Sequence, residues 1–163
     1  MLIWVIDSSS VIEIKQVPTN LRARAIAHLD QMVTQDCLVY PSQVLAELKS
    51  YAPAKALKND LAYTWAKKNE AQAAYAKPLL HEAKAILKDH PDLIDPDKAG
   101  KEPADPYVIA LAQKLRNGGH DARIVTNDTR QINKKVSVAA VAGLLGIPST
   151  VLRLFLRGEG HDY

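Results

Sequence analysis

The sequence predicts an α/β domain in which a parallel sheet of short strands is layered between helices. Three observations carry this. Brief apolar runs rich in Ile and Val stand at residues 2–6, 37–40 and 123–126. The segments between them space their apolar residues as helices do, and strands alternating with helices argue for a three-layer α/β/α sheet. The length of 163 residues, with 47% apolar and 24% charged side chains, suits one domain, residues 1–163, able to bury its own core.

Residues 2–6 are too few for a helix and form a buried strand; Asp7 and the serines at 8, 9 and 10 follow as a loop or a helix start. Ile26, Leu29 and Val33 set an amphipathic helix over 21–35. Residues 37–40 form a second strand, after which Pro41 and Ser42 launch a helix with Val44, Leu45 and Leu48 on one face. Leu57, Leu61 and Trp65 recur every four residues in an Ala- and Lys-rich helix over 56–76. Pro78 opens another through Leu79, Ala83 and Ile86, so the two make a helical hairpin. Residues 90–103, with three prolines and three aspartates, are a loop. Its Asp95–Gly100 segment does not make a calcium loop, because Ala99 stands at a ligand position and Pro106 where the bidentate Glu belongs. Ala104-Asp105-Pro106 starts a helix carrying Val108, Leu111, Ala112 and Leu115, which Asn117-Gly118-Gly119 stops. After the strand at 123–126 comes a helix over 137–145, apolar nearly all round, hence deeply buried or part of a dimer face. The tail over 149–157 is helical.

Composition excludes several functions. The first of 7 glycines is Gly100, so no glycine-rich phosphate loop follows an early strand, and no G-x-S-x-G elbow occurs. Cys37 is the sole cysteine, which rules out an internal disulfide and a Cys-based zinc site and fits a cytoplasmic protein. The apolar opening is too short for a signal peptide or a membrane span. A net charge of +3 permits a nucleic-acid partner without requiring one. His28, His81, His90, His120 and His161 are scattered with no pair at ligand spacing, so no metal role is expected of them.

In open α/β sheets ligands bind beyond the carboxyl ends of the strands. Asp7 ends the first strand, Glu47 lies one turn into the helix after the second, Asp105 opens a helix, and Asp128 follows the third strand. Each has a plain structural role available: Asp7 as a helix cap, Asp105 as an N-cap before Pro106, Glu47 as a solvated helix residue, Asp128 as a turn residue. Together at one sheet edge they could not stand as bare charges. A hard divalent cation, Mg²⁺ or Mn²⁺, resolves the repulsion, activates water and stabilises charge on a phosphodiester. A covalent Asp7 nucleophile is disfavoured, since Ser9 stands where a second acid is wanted.

These motifs resemble the PIN-domain ribonucleases, among them the VapC-like toxins. Ile3-Trp4-Val5-Ile6-Asp7-Ser8-Ser9 looks like the family's first strand and acid, and Pro41-Ser42-Gln43-Val44-Leu45-Ala46-Glu47 like its second-acid helix. Asp105-Pro106-Tyr107-Val108-Ile109-Ala110-Leu111-Ala112 looks like the third-acid helix, and Ile124-Val125-Thr126-Asn127-Asp128 like the closing strand. The resemblance implies a PIN-like fold and Mg²⁺- or Mn²⁺-dependent endonucleolytic cleavage of RNA. Asp7, Glu47, Asp105 and Asp128 would be the catalytic acids holding the metal, with Ser9 and Thr126 orienting carboxylates or water through their hydroxyls. It further implies the toxin of a toxin–antitoxin pair, with an antitoxin protein as partner and a possible homodimer. Residues 50–102 exceed what the compact toxins have, which implies a helical insertion around 55–90. PIN-like folds also occur as inactive binding scaffolds, the alternative reading. Arg130, Lys134 and Lys135 are candidates for RNA phosphates near the metal, or else a solvated basic loop.

Overall fold

The structure, a computed structural model, describes residues 1–52, 54, 56–95, 103–132 and 134–160. Most of the Asp95–Gly100 segment, and His161, lie outside the described residues.

The expected sheet forms and is wider than the sequence showed. Strands β1 (Leu2–Ile6), β2 (Leu38–Pro41), β3 (Ala74–Tyr75), β4 (Asp121–Val125) and β5 (Ser149–Thr150) pair in the order β3-β2-β1-β4-β5. Every pair is parallel; Val5 stands opposite both Val39 and Ile124. Central β1 buries Val5 and Ile6 completely, which explains its unbroken apolar run.

The two edge strands correct the sequence reading. Residues 56–76 are not one helix: α4 (Leu61–Lys68) and α5 (Glu70–Ala73) are followed directly by β3, paired with Tyr40 and Pro41. Likewise residues 149–150 pair with Ile124 and Val125 before the final helix begins. Two-residue strands have no periodicity to read, and pairing at a sheet edge overrides the helical preference of an Ala-rich stretch.

The other helices are α1 (Ser8–Glu13), α2 (Thr19–Thr34), α3 (Ser42–Tyr51), α6 (Leu80–Asp89), α7 (Asp105–Asn117), α8 (Val138–Leu144) and α9 (Leu152–Gly158). They flank the sheet as a three-layer α/β/α arrangement. Helix α7 packs across β1, β2 and β4 and against α6 and α8, and residues 106–112 are buried without a break. That burial explains why its apolar residues exceed a single helical stripe. Helix α8 is not deeply buried on all sides: Val138, Val141 and Ala142 are buried, while Leu144 leaves an apolar side chain 75% exposed. Trp4 of β1 meets Phe155 of α9 edge to face, with ring centroids 4.9 Å apart. Among the described residues no helix is long and apolar enough to cross a membrane.

Asp30 on α2 ties the 61–73 segment to the body. Its carboxylate accepts from the Trp65 indole (3.0 Å), the Asn69 amide (2.9 Å) and the Lys68 ammonium (2.7 Å). Asp30→Ala strands the donors of two buried residues, Trp65 and Asn69, and is expected to cost about 1–3 kcal/mol. A lowered urea midpoint at unchanged m-value is the readout; an unchanged midpoint would deny Asp30 this role.

From β1 the chain steps outward to β2 and β3 on one side, and β4 and β5 lie on the other. The order therefore reverses between β1 and β4, and the crevice beyond their carboxyl ends is where such sheets bind ligands. Asp7 leaves β1 there, and residues 126–128 leave β4.

Candidate active site

Asp7 anchors this crevice. Its backbone is extended and its side chain caps α1, Oδ1 accepting from Ser10 N–H at 2.9 Å, so the plain capping role holds. The same Oδ1 accepts from Ser9 Oγ at 2.7 Å, and Oδ2 accepts from Thr126 Oγ1 at 2.5 Å. A carboxylate oxygen offers two acceptor positions, so among the described residues Oδ2 keeps one in reserve. Asp7 is 1% exposed, and burial pushes its pKa up to about 7. Hydrogen bonds from Thr126, Ser10 and Ser9 oppose that rise, and the nearby Asp105 charge adds to it.

Glu47 is half-buried on α3 and not simply solvated. It accepts from Ser8 Oγ at 2.5 Å. Burial raises its pKa and Asp105 adds to the rise, while Ser8, Ala104 and Lys135 oppose it. Asp105 is not the N-cap: Ala104 holds that position, and Asp105 begins the helix itself. Its carboxylate instead meets Lys135, Nζ to Oδ2 being 3.0 Å. Asp128 receives Lys135 Nζ at 2.6 Å and Val138 N–H at 3.0 Å on Oδ2, so it also clamps the start of α8. Its own N–H donates to Thr126 Oγ1 at 3.0 Å. One threonine hydroxyl thus joins the Asp7 carboxylate to the Asp128 backbone.

These groups surround a cavity of about 560 Å³. Glu47, Asp105, Asp128 and Lys135 line it, with Ile12, Leu93, Ile94 and Ile132 as apolar wall. Asp7 is buried and not among the described lining residues, although its neighbours Ser8 and Ser9 are. Arg130 lines the cavity and is exposed; Lys134 is exposed and is not among the described lining residues. Lys135, sought as a phosphate contact, is drawn into the acids. Burial works against its charge, but Asp105 and Asp128 outweigh this and its pKa is raised.

Three further residues were not singled out from the sequence. Ser8 reaches Glu47 across 39 positions, a pairing with no local signal. Asn127 Oδ1 accepts from Ser10 Oγ (2.9 Å) and Leu152 N–H (3.0 Å), and its N–H donates to Ser9 Oγ (2.9 Å). Its position between Thr126 and Asp128 was the available clue. Tyr51 lines the cavity one helical turn after Glu47, a spacing visible in the sequence, and the Glu47 charge adds to the rise that burial imposes on its pKa.

The donor set suits a hard divalent cation: the lining acids offer only oxygen, and no His or Cys is among the described lining residues. The acids do not converge as a ready ligand set. Among the described residues no three His, Cys, Asp or Glu side chains come together at metal-holding positions, and Lys135 stands between Asp105 and Asp128.

Comparison with curated proteins finds no match to the chain. A family model described as a domain of unknown function, DUF4411, matches residues 4–163, and the chain belongs to that family.

Proposed function

We propose that this protein is a PIN-like endoribonuclease that uses Mg²⁺ or Mn²⁺ to hydrolyse RNA phosphodiester bonds. One observation carries the reading. Glu47, Asp105 and Asp128, distant in sequence, line one cavity at the carboxyl end of the sheet, beside a buried Asp7 coupled electrostatically to Asp105. Burial raises the pKa values of Asp7 and Glu47 and the Asp105 charge adds to both, so positive charge placed there would favour their ionised forms. A bound divalent ion supplies that charge, acidifies a water and offsets charge on a phosphodiester.

The chain's own groups do the rest. Glu47, Asp105 and Asp128 present carboxylate oxygens to the cavity, and Asp7 holds its partly unpaired Oδ2 close by. Ser9 and Thr126 keep the Asp7 carboxylate in one orientation, and Ser8 does the same for Glu47. Exposed Arg130 and Lys134 flank the site as contacts for RNA phosphates. Toxin activity restrained by an antitoxin protein belongs to the same reading, as does a homodimer.

The test is cleavage of a mixed RNA pool by the purified protein with Mn²⁺, beside EDTA and Asp105→Asn lanes. Metal-dependent cutting that Asp105→Asn lowers by at least ~100-fold is the expected result. Absent cutting together with no Mn²⁺-induced rise in melting temperature would replace the nuclease with the inactive-scaffold alternative. Induced expression should arrest growth, and Asp105→Asn should relieve it.

A further inference from the structure

We propose that Lys135 is the resident counter-cation of the acidic site, and that a divalent cation binds there by exchanging with its ammonium group. This rests on the metal-dependent reading above. Lys135 Nζ lies 3.0 Å from Asp105 Oδ2 and 2.6 Å from Asp128 Oδ2. The three side chains are only 21%, 16% and 17% exposed, so this is a shielded pair of contacts and not a surface ion pair. Glu47 feels the same charge.

The backbone delivers the ammonium deliberately. Ile132 and Lys135 exchange backbone hydrogen bonds at 3.2 and 3.0 Å, and Val136 N–H donates to Asp92 C=O at 2.8 Å. The root of the side chain is therefore pinned on both sides, and its four-carbon stem reaches from there to the two carboxylates. An ammonium is a compact point charge on such a stem, suited to holding carboxylates together and then letting go. The two oxygens it takes, Asp105 Oδ2 and Asp128 Oδ2, are among those a hard cation would need. Both cations cannot occupy them, so ammonium and metal compete.

Exchange has a definite sign. A group that occupies the ligands raises the apparent Kd of the metal to its intrinsic value divided by the fraction of time the ligands are vacant. Lys135→Met keeps the stem and removes the charge. Mn²⁺ titration calorimetry on the full chain should give a Kd at least ~10-fold lower than wild type. Lys49→Met, an exposed lysine on the Glu47 helix, removes the same net charge and should change Kd by less than ~2-fold. A second measurement uses wild-type protein alone. Acetylation of Lys135, read by mass spectrometry, should be slow in EDTA and rise several-fold when Mn²⁺ saturates the site; it decides the matter if Lys135→Met does not fold. Equal or weaker Mn²⁺ binding by a folded Lys135→Met would overturn the exchange and leave the metal reading standing. So would Lys135 that stays protected in saturating Mn²⁺. No Mn²⁺ binding by either protein would overturn both.

Discussion

Asp7→Asn is expected to lower RNA cleavage by at least ~10³-fold while making the metal-free protein more stable at pH 8. The first effect follows from the proposed role: an amide presents a neutral oxygen where a charged one is needed. The second follows from burial. The folded-state pKa of about 7 lies above the ordinary 3.8. Between those values the folded state holds a proton that the unfolded chain has released. Stability in EDTA therefore falls as pH rises from about 4 to about 7, and stays low above that. Glu47, also raised by burial, acts in the same direction. The full Asp7 shift corresponds to roughly 4 kcal/mol. Asn recovers only part of it, because Thr126 loses an acceptor, leaving a gain of about 1–3 kcal/mol. At about 2–4 °C per kcal/mol, melting should rise by several degrees at pH 8 and the difference should shrink at pH 5. Thermal melts at both pH values in EDTA test this. A lower melting temperature for Asp7→Asn at pH 8 would show that the buried charge is compensated by its hydrogen bonds. Such a trade of stability against a strained, charged site is common where function demands the charge.

Thr126→Val is expected to cost about 2–4 kcal/mol, although the two side chains have nearly the same shape. Thr126 is fully buried, and its hydroxyl gives its proton to Asp7 Oδ2 while accepting the N–H of Asp128. Valine leaves both partners unpaired. It also removes the largest of the hydrogen-bonding influences that hold the Asp7 pKa down. Cleavage should therefore need a higher pH, the rising limb of the pH–rate profile moving to the alkaline side. Denaturant melts give the stability cost, and the profile separates positioning from a structural role that would lower the rate at every pH. In the double variant with Asp7→Asn, the two effects on stability should not add, since the residues share one hydrogen bond. Additive effects would mean that Thr126 acts on Asp128 alone.

Periodicity and spacing were enough for the class of fold. The central strands are legible because burial on both faces demands an uninterrupted apolar run, as in β1, and the long helices because each keeps an apolar face. The candidate acids were legible for a related reason: Asp7 and Asp128 stand just past a strand, Asp105 at the front of a helix and Glu47 one turn into the helix after β2. Chain order and the rule for open sheets then send them to one edge. The start of α7 was misread by one residue, because Asp105 before Pro106 has the look of a cap that Ala104 occupies.

Tertiary structure alone decided the remainder. Ala74–Tyr75 and Ser149–Thr150 become strands because β2 and β4 offer them backbone partners, information that no two-residue window contains. Ser8 finds Glu47, and Lys135 finds Asp105 and Asp128, through space. A local pattern of apolar and polar residues reports which groups are buried, since that depends on nearby chain geometry. It does not report which buried charges meet, since electrostatic partners are chosen by the packing of segments far apart in the chain. Lys135, a basic loop residue by sequence, is for that reason the cation of an acidic cavity in the folded protein.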